Sequence, residues 1–248
     1  MIGRHLIQTT TADRATLEAH RAIWSARPEL RAVYGEWFAR LLAEVGGRTP
    51  AIELGAGPGF LKDYAPRLIT LDVVPTRWVD VLADGSALPL RTAGVGALVM
   101  IDTLHHLAAP TAFMDEAARV LRPGGRLAMV EPWITPLSWV FYRWLHHEDC
   151  RLGVDVDRPF AGGAKAALDG NAAIPYLVLR RLAARDHPLR LVRAETFLGL
   201  PYLATLGFRR ARPVPARLVA LARAAERWTR ALRPVAASRI LAVWERPA

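Results

Sequence analysis

Apolar residues along the chain form short continuous runs, and helical or irregular stretches separate most of them. Runs of four to six apolar residues are typical of parallel strands that are buried on both faces. Alternation of such strands with helices predicts an α/β fold with a mostly parallel sheet. The predicted strands span residues 51–54, 68–73, 79–82, 97–101, 126–130, 189–197 and 239–244.

Helical patterns occupy much of the remaining chain. Thr10 and Asp13 have the spacing of a capping box, which predicts a helix over 12–25. A second helix is predicted to begin at Pro28 and to end at Gly46 and Gly47. A third spans 110–121, and the turn Pro123-Gly124-Gly125 ends it before the next strand.

The segment 134–186 has no strand pattern and reads as helices and loops. We interpret it as an insertion, hereafter the lid, that covers the sheet edge where ligands bind. The whole chain is then one domain, because we find no internal repeat and no low-complexity linker. Its parts are N-terminal helices (1–47), a ligand-binding core (48–133), the lid (134–186) and C-terminal strands with an amphipathic helix (187–248).

A predicted amphipathic helix over 215–233 is the strongest such pattern near the C-terminus. We expect its apolar face to pack against the sheet. The alternative is that its arginine face rests on an anionic membrane surface. Leu218, Leu221, Ala222, Ala225, Trp228 and Leu232 form the apolar face, with Arg223, Arg227, Arg230 and Arg233 opposite.

Composition limits the class of protein. Of the 248 residues, 52% are hydrophobic, yet no run of 18 apolar residues suggests a membrane-spanning helix. Cys150 is the single cysteine, so no internal disulfide can form. The first twelve residues lack the apolar stretch of a secretion signal. These features together predict a cytoplasmic protein.

The net charge of +10 is unevenly distributed. Residues 1–150 carry 15 basic and 16 acidic side chains, whereas residues 151–248 carry 18 basic and 7 acidic ones. A basic surface of this kind suits nucleic acid, anionic lipid or an anionic substrate. Scattered, solvated arginines explain the same composition, and we favour that interpretation.

A glycine motif follows the first predicted strand: Glu53-Leu54-Gly55-Ala56-Gly57-Pro58-Gly59. Glycine lets the main chain bend sharply and approach a ligand without a Cβ in the way. The dinucleotide fingerprint needs Gly or Ala where this chain has Phe60. The loop is therefore of Rossmann type but does not fit the NAD-binding motif.

Three further motifs follow in order along the chain. Asp72 ends the second strand, where a carboxylate can accept hydrogen bonds from both hydroxyls of a ribose. An Asp84-Gly85-Ser86-Ala87-Leu88-Pro89 segment follows the third strand. The segment from Glu116 to Leu127 reads E-A-A-R-V-L-R-P-G-G-R-L.

These four motifs, within residues 50–132, resemble those of the class I S-adenosylmethionine (SAM)-dependent methyltransferases. The match is to the methyltransferase type 11 subgroup, which acts largely on small molecules. The resemblance implies a Rossmann-like seven-stranded fold and SAM as cofactor. Tyr34 and Trp37 would close over the cofactor from the N-terminal helices, although core packing is the favoured explanation of both. The implied cofactor-binding residues are Glu53, Gly55, Ala56, Gly57, Gly59, Asp72, Val73, Asp84, Gly85, Ser86, Asp102 and Leu104.

Three histidines are the catalytic candidates. His105 and His106 follow the fourth strand, where this family places residues near the transferred methyl group, and a histidine can act as the base for a hydroxyl acceptor. A purely structural role, bonding a nearby backbone group, is the alternative and is favoured for His106. His146 lies in the His146-His147-Glu148-Asp149-Cys150 cluster, beyond an aromatic-rich stretch that suits a ring-bearing acceptor. The spacing of that cluster matches no zinc pattern, so we expect no metal site.

The leading hypothesis is O-methylation of an apolar or ring-bearing small molecule. An RNA or tRNA methyltransferase is an alternative suggested by the basic C-terminal half. The chain lacks the Asn/Asp-Pro-Pro-Tyr/Phe motif of base methylation, which makes nucleic acid a less favoured partner. A peripheral membrane enzyme acting on a lipid or quinone, contacting the bilayer through 215–233, and a non-catalytic SAM-binding protein are the remaining hypotheses.

Overall fold

A seven-stranded sheet forms the centre of the computed structural model, which describes residues 9–146, 148–160, 165–209 and 211–248. The strand order is β3-β2-β1-β4-β5-β7-β6. Strands β1 to β5 pair in parallel, and β7 runs antiparallel to both β5 and β6. The predicted Rossmann-like α/β fold is thus confirmed. The strands are β1 (Ala51–Leu54), β2 (Ile69–Asp72), β3 (Val81–Leu82), β4 (Val95–Ile101), β5 (Leu121–Pro132), β6 (Arg190–Phe197) and β7 (Arg239–Glu245).

Eight α-helices are described around this sheet. The capping box predicted for α1 is present, since Asp13 donates its backbone N–H to Thr10 Oγ1 at 3.2 Å and accepts the Thr10 N–H at 2.7 Å. Gly46 ends α2 in the left-handed conformation at φ 50°. The helices are α1 (Thr11–Ala26), α2 (Pro28–Val45), α3 (Pro110–Val120), α4 (Pro136–Trp144), α5 (Ile174–Ala183), α6 (Leu200–Thr205), α7 (Ala216–Trp228) and α8 (Arg233–Ala236).

The hydrophobic core lies on both faces of the sheet. Along β4, Ala97 and Val99 face the layer that contains α2, while Leu98 and Met100 face the layer that contains α3 and α5. Side chains of successive strand residues point to opposite faces, so a strand covered on both sides is apolar throughout. This burial explains why the continuous apolar runs predicted the central strands correctly.

Several predicted boundaries differ from the structure. β3 contains two residues only, and β5 begins at Leu121 although a turn was expected at 123–125. The pairing of β5 with β4 shifts register there, with Val95 opposite Leu121 and Ala97 opposite Arg126. The proline and the two glycines are thus accommodated as an irregularity within the strand.

The lid agrees with its prediction in the residues described between 134 and 186. That part of the chain contains α4, α5 and one isolated bridge between Asp149 and Asn171, but no strand. None of the described helices is both long enough and apolar enough to cross a membrane.

The prediction for the C-terminal amphipathic helix was wrong in two respects. The helix ends at Trp228, and a 3-10 turn (Arg230–Leu232) and the short α8 follow it. Its apolar face does not pack against the sheet, because Val219 is its one buried side chain while Leu221 is 67% and Trp228 is 88% exposed. Periodicity identifies an apolar face but not the surface that covers it.

A buried arginine joins the N-terminal helices to the C-terminal part of the chain. Arg27, between α1 and α2, donates to Glu29 Oε1 at 2.8 Å and to the carbonyls of Gly207 (2.6 Å) and Thr205 (2.7 Å). Glu29 also accepts the backbone N–H of Val214 at 3.1 Å. A buried charge with this many partners fixes the position of its neighbours, although removing one partner is costly.

We predict that Arg27→Ala destabilises the protein by about 3–5 kcal/mol, because it leaves the Glu29 carboxylate buried without its cation. Denaturant unfolding monitored by tryptophan fluorescence measures the change. Arg14→Ala is the matched control, since the Arg14–Glu18 pair is half exposed and is worth less than about 1 kcal/mol. Equal losses in the two variants would contradict a special role for Arg27.

Candidate functional site

A cavity of about 1100 Å³ opens at the carboxyl ends of the parallel strands. This is the edge where open α/β sheets bind their ligands. One side of it, the glycine-loop side, is formed by Glu53, Gly55, Gly57, Asp72 and Gly85. The opposite side, the histidine side, is formed by His105, His106, His146 and Glu148, with aromatic residues beyond them. The structure thus places predicted cofactor-binding residues on one side and the candidate catalytic histidines on the other.

The glycine loop has the backbone geometry that its sequence predicted. Gly55, Gly57 and Gly59 have φ values of 71°, 46° and 70°, a region that other residues rarely adopt. A Cβ at Gly55 would lie 2.2 Å from the Thr103 side chain. The loop is followed by one 3-10 turn at Leu61–Asp63. The loop backbone, rather than a helix N-terminus, therefore faces the cavity.

Asp72 holds the loop in place. Its Oδ2 accepts the N–H of Gly57 at 2.7 Å, and its Oδ1 accepts the N–H of Val74 at 2.8 Å. Burial raises the pKa of Asp72, and these backbone hydrogen bonds lower it. Each carboxylate oxygen can accept two hydrogen bonds, so Asp72 keeps acceptor capacity toward the cavity.

Glu53 is the exceptional carboxylate of the glycine-loop side. It is 2% exposed, and its Oε2 has no hydrogen-bond partner. Burial and, to a smaller degree, the neighbouring Asp72 raise the pKa of Glu53 to about 8. A buried acceptor without a partner is costly, so a ligand that brings a donor or a cation satisfies it.

These features fit SAM. The orphaned Glu53 oxygen suits the ammonium group of its methionine moiety, and Asp72 suits the hydroxyls of its ribose. The loop with left-handed glycines provides space and backbone N–H groups for the methionine carboxylate. When bound, SAM supplies an electrophilic methyl group on a sulfonium.

Not every predicted cofactor residue reaches the cavity. Asp84 Oδ1 accepts both the N–H and the hydroxyl of Ser86 at 2.8 Å and so stabilises its own turn. Trp37 packs in the core beside Tyr34, which does line the cavity. Among the described residues, the cavity is lined by Glu53, Gly55, Ala56, Gly57, Asp72, Val73, Gly85, Asp102 and Tyr34, but not by Gly59, Asp84, Ser86, Leu104 or Trp37.

Asp102 connects the two sides of the cavity. It follows β4 with a φ of 49°, accepts a hydrogen bond from the Tyr34 hydroxyl at 3.2 Å and pairs with the buried Arg239. The guanidinium lies 5.2 Å from the ring centre of Trp37 and 4.9 Å from that of Tyr202. Arg239 therefore compensates the carboxylate and orders the aromatic wall through cation–π contacts.

His105 is held from behind by Glu131. The Glu131 Oε2 lies 2.8 Å from His105 Nδ1, while its Oε1 accepts the N–H groups of Thr103 and Leu104, each at 2.7 Å. Burial alone would lower the pKa of His105, but the carboxylates of Glu148 and Glu131 raise it to about 10. The fully buried Glu131 thus fixes both the ring and the turn that carries it.

His106 and His146 lie near the Glu148 carboxylate, as His105 does. His106 Nδ1 lies 3.0 Å from the carbonyl oxygen of Asp169. Burial and the neighbouring His105 lower the pKa of His106 to about 3. Glu148 Oε2 lies 3.4 Å from His105 Nε2 and 3.7 Å from His146 Nδ1, and Glu148 Oε1 lies 3.7 Å from His106 Nε2. His147, from the same predicted cluster, lies outside the described residues.

The sequence interpretation missed the partners of these histidines. Glu131 ends a predicted strand, as Asp72 does, and the same strand-end argument would have selected it. The sequence interpretation also missed Arg239, the partner of Asp102. This arginine begins the last strand but lies in no local motif. Glu148 was noted within the 146–150 cluster, yet nothing in its neighbourhood indicates that it meets His105.

Comparison with known sequences agrees with this geometry. The model of a family described as "Methyltransferase domain" matches residues 52–129. A relative from Streptomyces fradiae, an uncharacterized 37.1 kDa protein in transposon TN4556, is 31% identical over 196 residues. The alignment covers 64% of this chain and 55% of that protein, so the chain spans about half of the relative's length.

Similar solved structures share the fold. A geranyl diphosphate methyltransferase in complex with SAM gives a TM-score of 0.52 at 16% identity, covering 85% of this chain and 84% of that one. The geranyl diphosphate C-methyltransferase from Streptomyces coelicolor A3(2) gives 0.51 at 15% identity, with 86% and 78% covered. The cyclase SpnF gives 0.50 at 14% identity, with 98% of both chains covered.

At such identities the structural similarity establishes the fold alone, while the family match and the glycine-loop side support SAM as the ligand. The glycine loop, Asp72 and the sequence match all fall within the same segment. Residues 52–129 therefore match a methyltransferase-domain family, and SAM is the cofactor that this match and the glycine-loop side indicate.

Proposed function

We propose that this protein transfers the methyl group of SAM to an oxygen atom of an apolar or ring-bearing small molecule. The observation that carries the proposal is the continuity of one cavity from the orphaned Glu53 oxygen to the His105–Glu148 pair. A cofactor and an acceptor bound on its two sides share one cavity. Small-molecule sites are typically cavities of this size, mostly apolar with a few polar groups.

The wall beyond the histidines supports an apolar acceptor. Phe141 and Tyr142 of α4 line it, together with Tyr202, Leu203 and Phe208 from α6 and the turn that follows. Aromatic side chains contribute large contact areas and accept ring-bearing ligands by stacking or edge contacts. The polar groups on this side are concentrated near His105, which gives the acceptor a preferred orientation.

Alignment is the main task in methyl transfer, because the nucleophile, the methyl carbon and the sulfur must be in line. Correct positioning of reacting groups can supply about 7–11 kcal/mol. The pair of His105 and Glu148 is suited to hold an acceptor hydroxyl through hydrogen bonds. Arg239 and Tyr34 hold Asp102 in place, which fixes this part of the cavity wall.

For the cofactor role, we predict that Glu53→Gln weakens SAM binding by at least about tenfold, because the amide cannot ionise to pair with the ammonium group of the bound cofactor. The same variant alters stability in a pH-dependent way. The folded-state pKa of Glu53 lies near 8, above its ordinary value of 4.5, so wild-type stability falls as the pH rises between these values. The variant lacks this loss and gains stability relative to wild type from pH 5 to pH 8.

Calorimetric titration with SAM and thermal unfolding at both pH values measure the two effects. Glu36→Gln, on the exposed side of α2, is the matched control and is expected to change neither. Unaltered SAM affinity in Glu53→Gln would contradict a role of Glu53 in cofactor binding.

For the reaction itself, we predict that methyl-labelled SAM and a panel of phenols and ring-bearing alcohols yield labelled methyl ethers. Mass spectrometry locates the label, and the corresponding methoxy compounds are the matched controls. His105→Gln should lower kcat by roughly tenfold to a hundredfold through misalignment, with SAM affinity retained. Label transferred to carbon would contradict O-methylation, and label transferred only to RNA would contradict a small-molecule acceptor.

A second candidate, peripheral membrane binding, is favoured by the exposed apolar face of α7. The segment 216–236 carries five arginines and one glutamate beside that face. α4, which packs against α8 and lines the cavity, also exposes Leu137 and Trp144. Apolar side chains among arginines are typical of helices that lie on anionic bilayers. An acceptor taken from the bilayer would then enter the cavity near α4.

We predict that the protein sediments with vesicles containing phosphatidylserine but not with pure phosphatidylcholine vesicles. Replacing Leu221 and Trp228 together by serine should weaken this binding by about tenfold or more, because their insertion is lost. Leu82→Ser, at an exposed leucine of the opposite sheet edge, is the matched control. Equal binding by both variants would refute α7 as the contact surface.

A further inference from the structure

We propose that His105, His106 and Glu148 bind a divalent transition-metal ion on the histidine side of the cavity. Two imidazole nitrogens and a carboxylate converge there from separate parts of the chain. One ligand atom from each residue can be chosen so that all three lie within 4.8 Å of one another. The sequence predicted no metal because it considered only neighbouring ligands in the 146–150 cluster, whereas the fold joins Glu148 to the end of β4.

The hydrogen bonds behind both histidines fix the nitrogen that faces Glu148. Carboxylate and carbonyl oxygens accept, so His105 Nδ1 donates to Glu131 and His106 Nδ1 donates to the carbonyl of Asp169. In the neutral imidazoles this leaves both Nε2 lone pairs directed toward the carboxylate. Metal-ligating histidines are typically oriented in this way, with the other ring nitrogen bonded to a carboxylate or a backbone carbonyl.

Distances within the cluster suit a single ion. Ligands about 2.0–2.2 Å from a tetrahedral zinc lie about 3.4 Å from one another. Glu148 Oε2 lies 3.4 Å from His105 Nε2, and Glu148 Oε1 lies 3.7 Å from His106 Nε2. Both separations are close to the ligand spacing around one ion.

Backbone packing holds the site together. A Cβ at Gly170 would lie 2.9 Å from His106 Cε1 and 3.1 Å from His105 Cδ2, so glycine is needed for the lid to pack on the two rings. The Asn171 N–H donates to the His105 carbonyl at 3.0 Å. The lid thus fixes the histidines from one side, and Glu131 fixes His105 from the other.

The donor set determines the class of ion. Two imidazoles and one carboxylate suit Zn²⁺ or another first-row transition ion, while Mg²⁺ prefers oxygen ligands. Two carboxylates, Glu131 and Glu148, balance the charge of a divalent ion. Three protein ligands leave a coordination position facing the cavity, where an oxygen of the acceptor can bind. This last step rests on the proposed function, but the metal site itself does not.

Titration of the untagged, chelator-treated protein tests the proposal. We expect one equivalent of Co²⁺ or Zn²⁺ to bind, with Co²⁺ developing visible absorption, and Mg²⁺ not to compete. Glu148→Gln and His106→Gln should each weaken binding by about 100-fold or more, and Glu131→Gln by about 10- to 100-fold through the lost support of His105.

His187→Gln is the matched control, because His187 lies 3.2 Å from the Asp115 carboxylate away from the cavity. Retained SAM affinity in each variant shows that the fold is intact. Failure to bind one equivalent, unchanged affinity in Glu148→Gln, or equal affinity for Mg²⁺ would overturn the metal site. Absence of SAM binding by the wild type would instead refute the proposed function and leave the metal result unaffected.

Discussion

Four carboxylates at one edge of the sheet govern the structure of the cavity. Because β1, β2, β4 and β5 are parallel, Glu53, Asp72, Asp102 and Glu131 meet where these strands end. Buried like charges destabilise a fold unless each is compensated. Backbone N–H groups, including that of Gly57, compensate Asp72, and the buried Arg239 compensates Asp102. Glu131 is compensated by the His105 ring together with two backbone N–H groups. Glu53 keeps an oxygen without a partner, which makes it the acid best suited to a ligand.

The two sides of the cavity differ in the groups that compensate their carboxylates. On the glycine-loop side it comes from backbone N–H groups, whose positions depend on positive φ values rather than on particular side chains. On the histidine side it comes from His105 and Arg239, which can be replaced one at a time. For the proposed function, this difference favours cofactor binding on the first side and acceptor binding on the second.

The sequence predicted best what is encoded locally. Continuous apolar runs predicted the five parallel strands, and Glu53, Gly55 and Asp72 were selected as candidates because strand ends and turns carry short motifs. It failed where a contact joins distant segments. Glu148 meets His105 only after the lid folds back, and no spacing encodes that encounter. The prediction that the apolar face of α7 packs against the sheet failed for a related reason. An amphipathic pattern does not indicate which surface lies opposite that face.

Formation of the histidine side is coupled to folding of the lid. Gly170 and Asn171 pack against His105 and His106 from the lid, and Glu148 reaches both rings from the same segment. A change in the lid therefore alters the packing and the charge around His105 together. The lid also reaches the glycine-loop side, because Ala167 packs with Val74 in one hydrophobic cluster. A change in the lid can thus affect both sides of the cavity, whereas the hydrogen bond between Asp72 and Gly57 joins residues outside that segment.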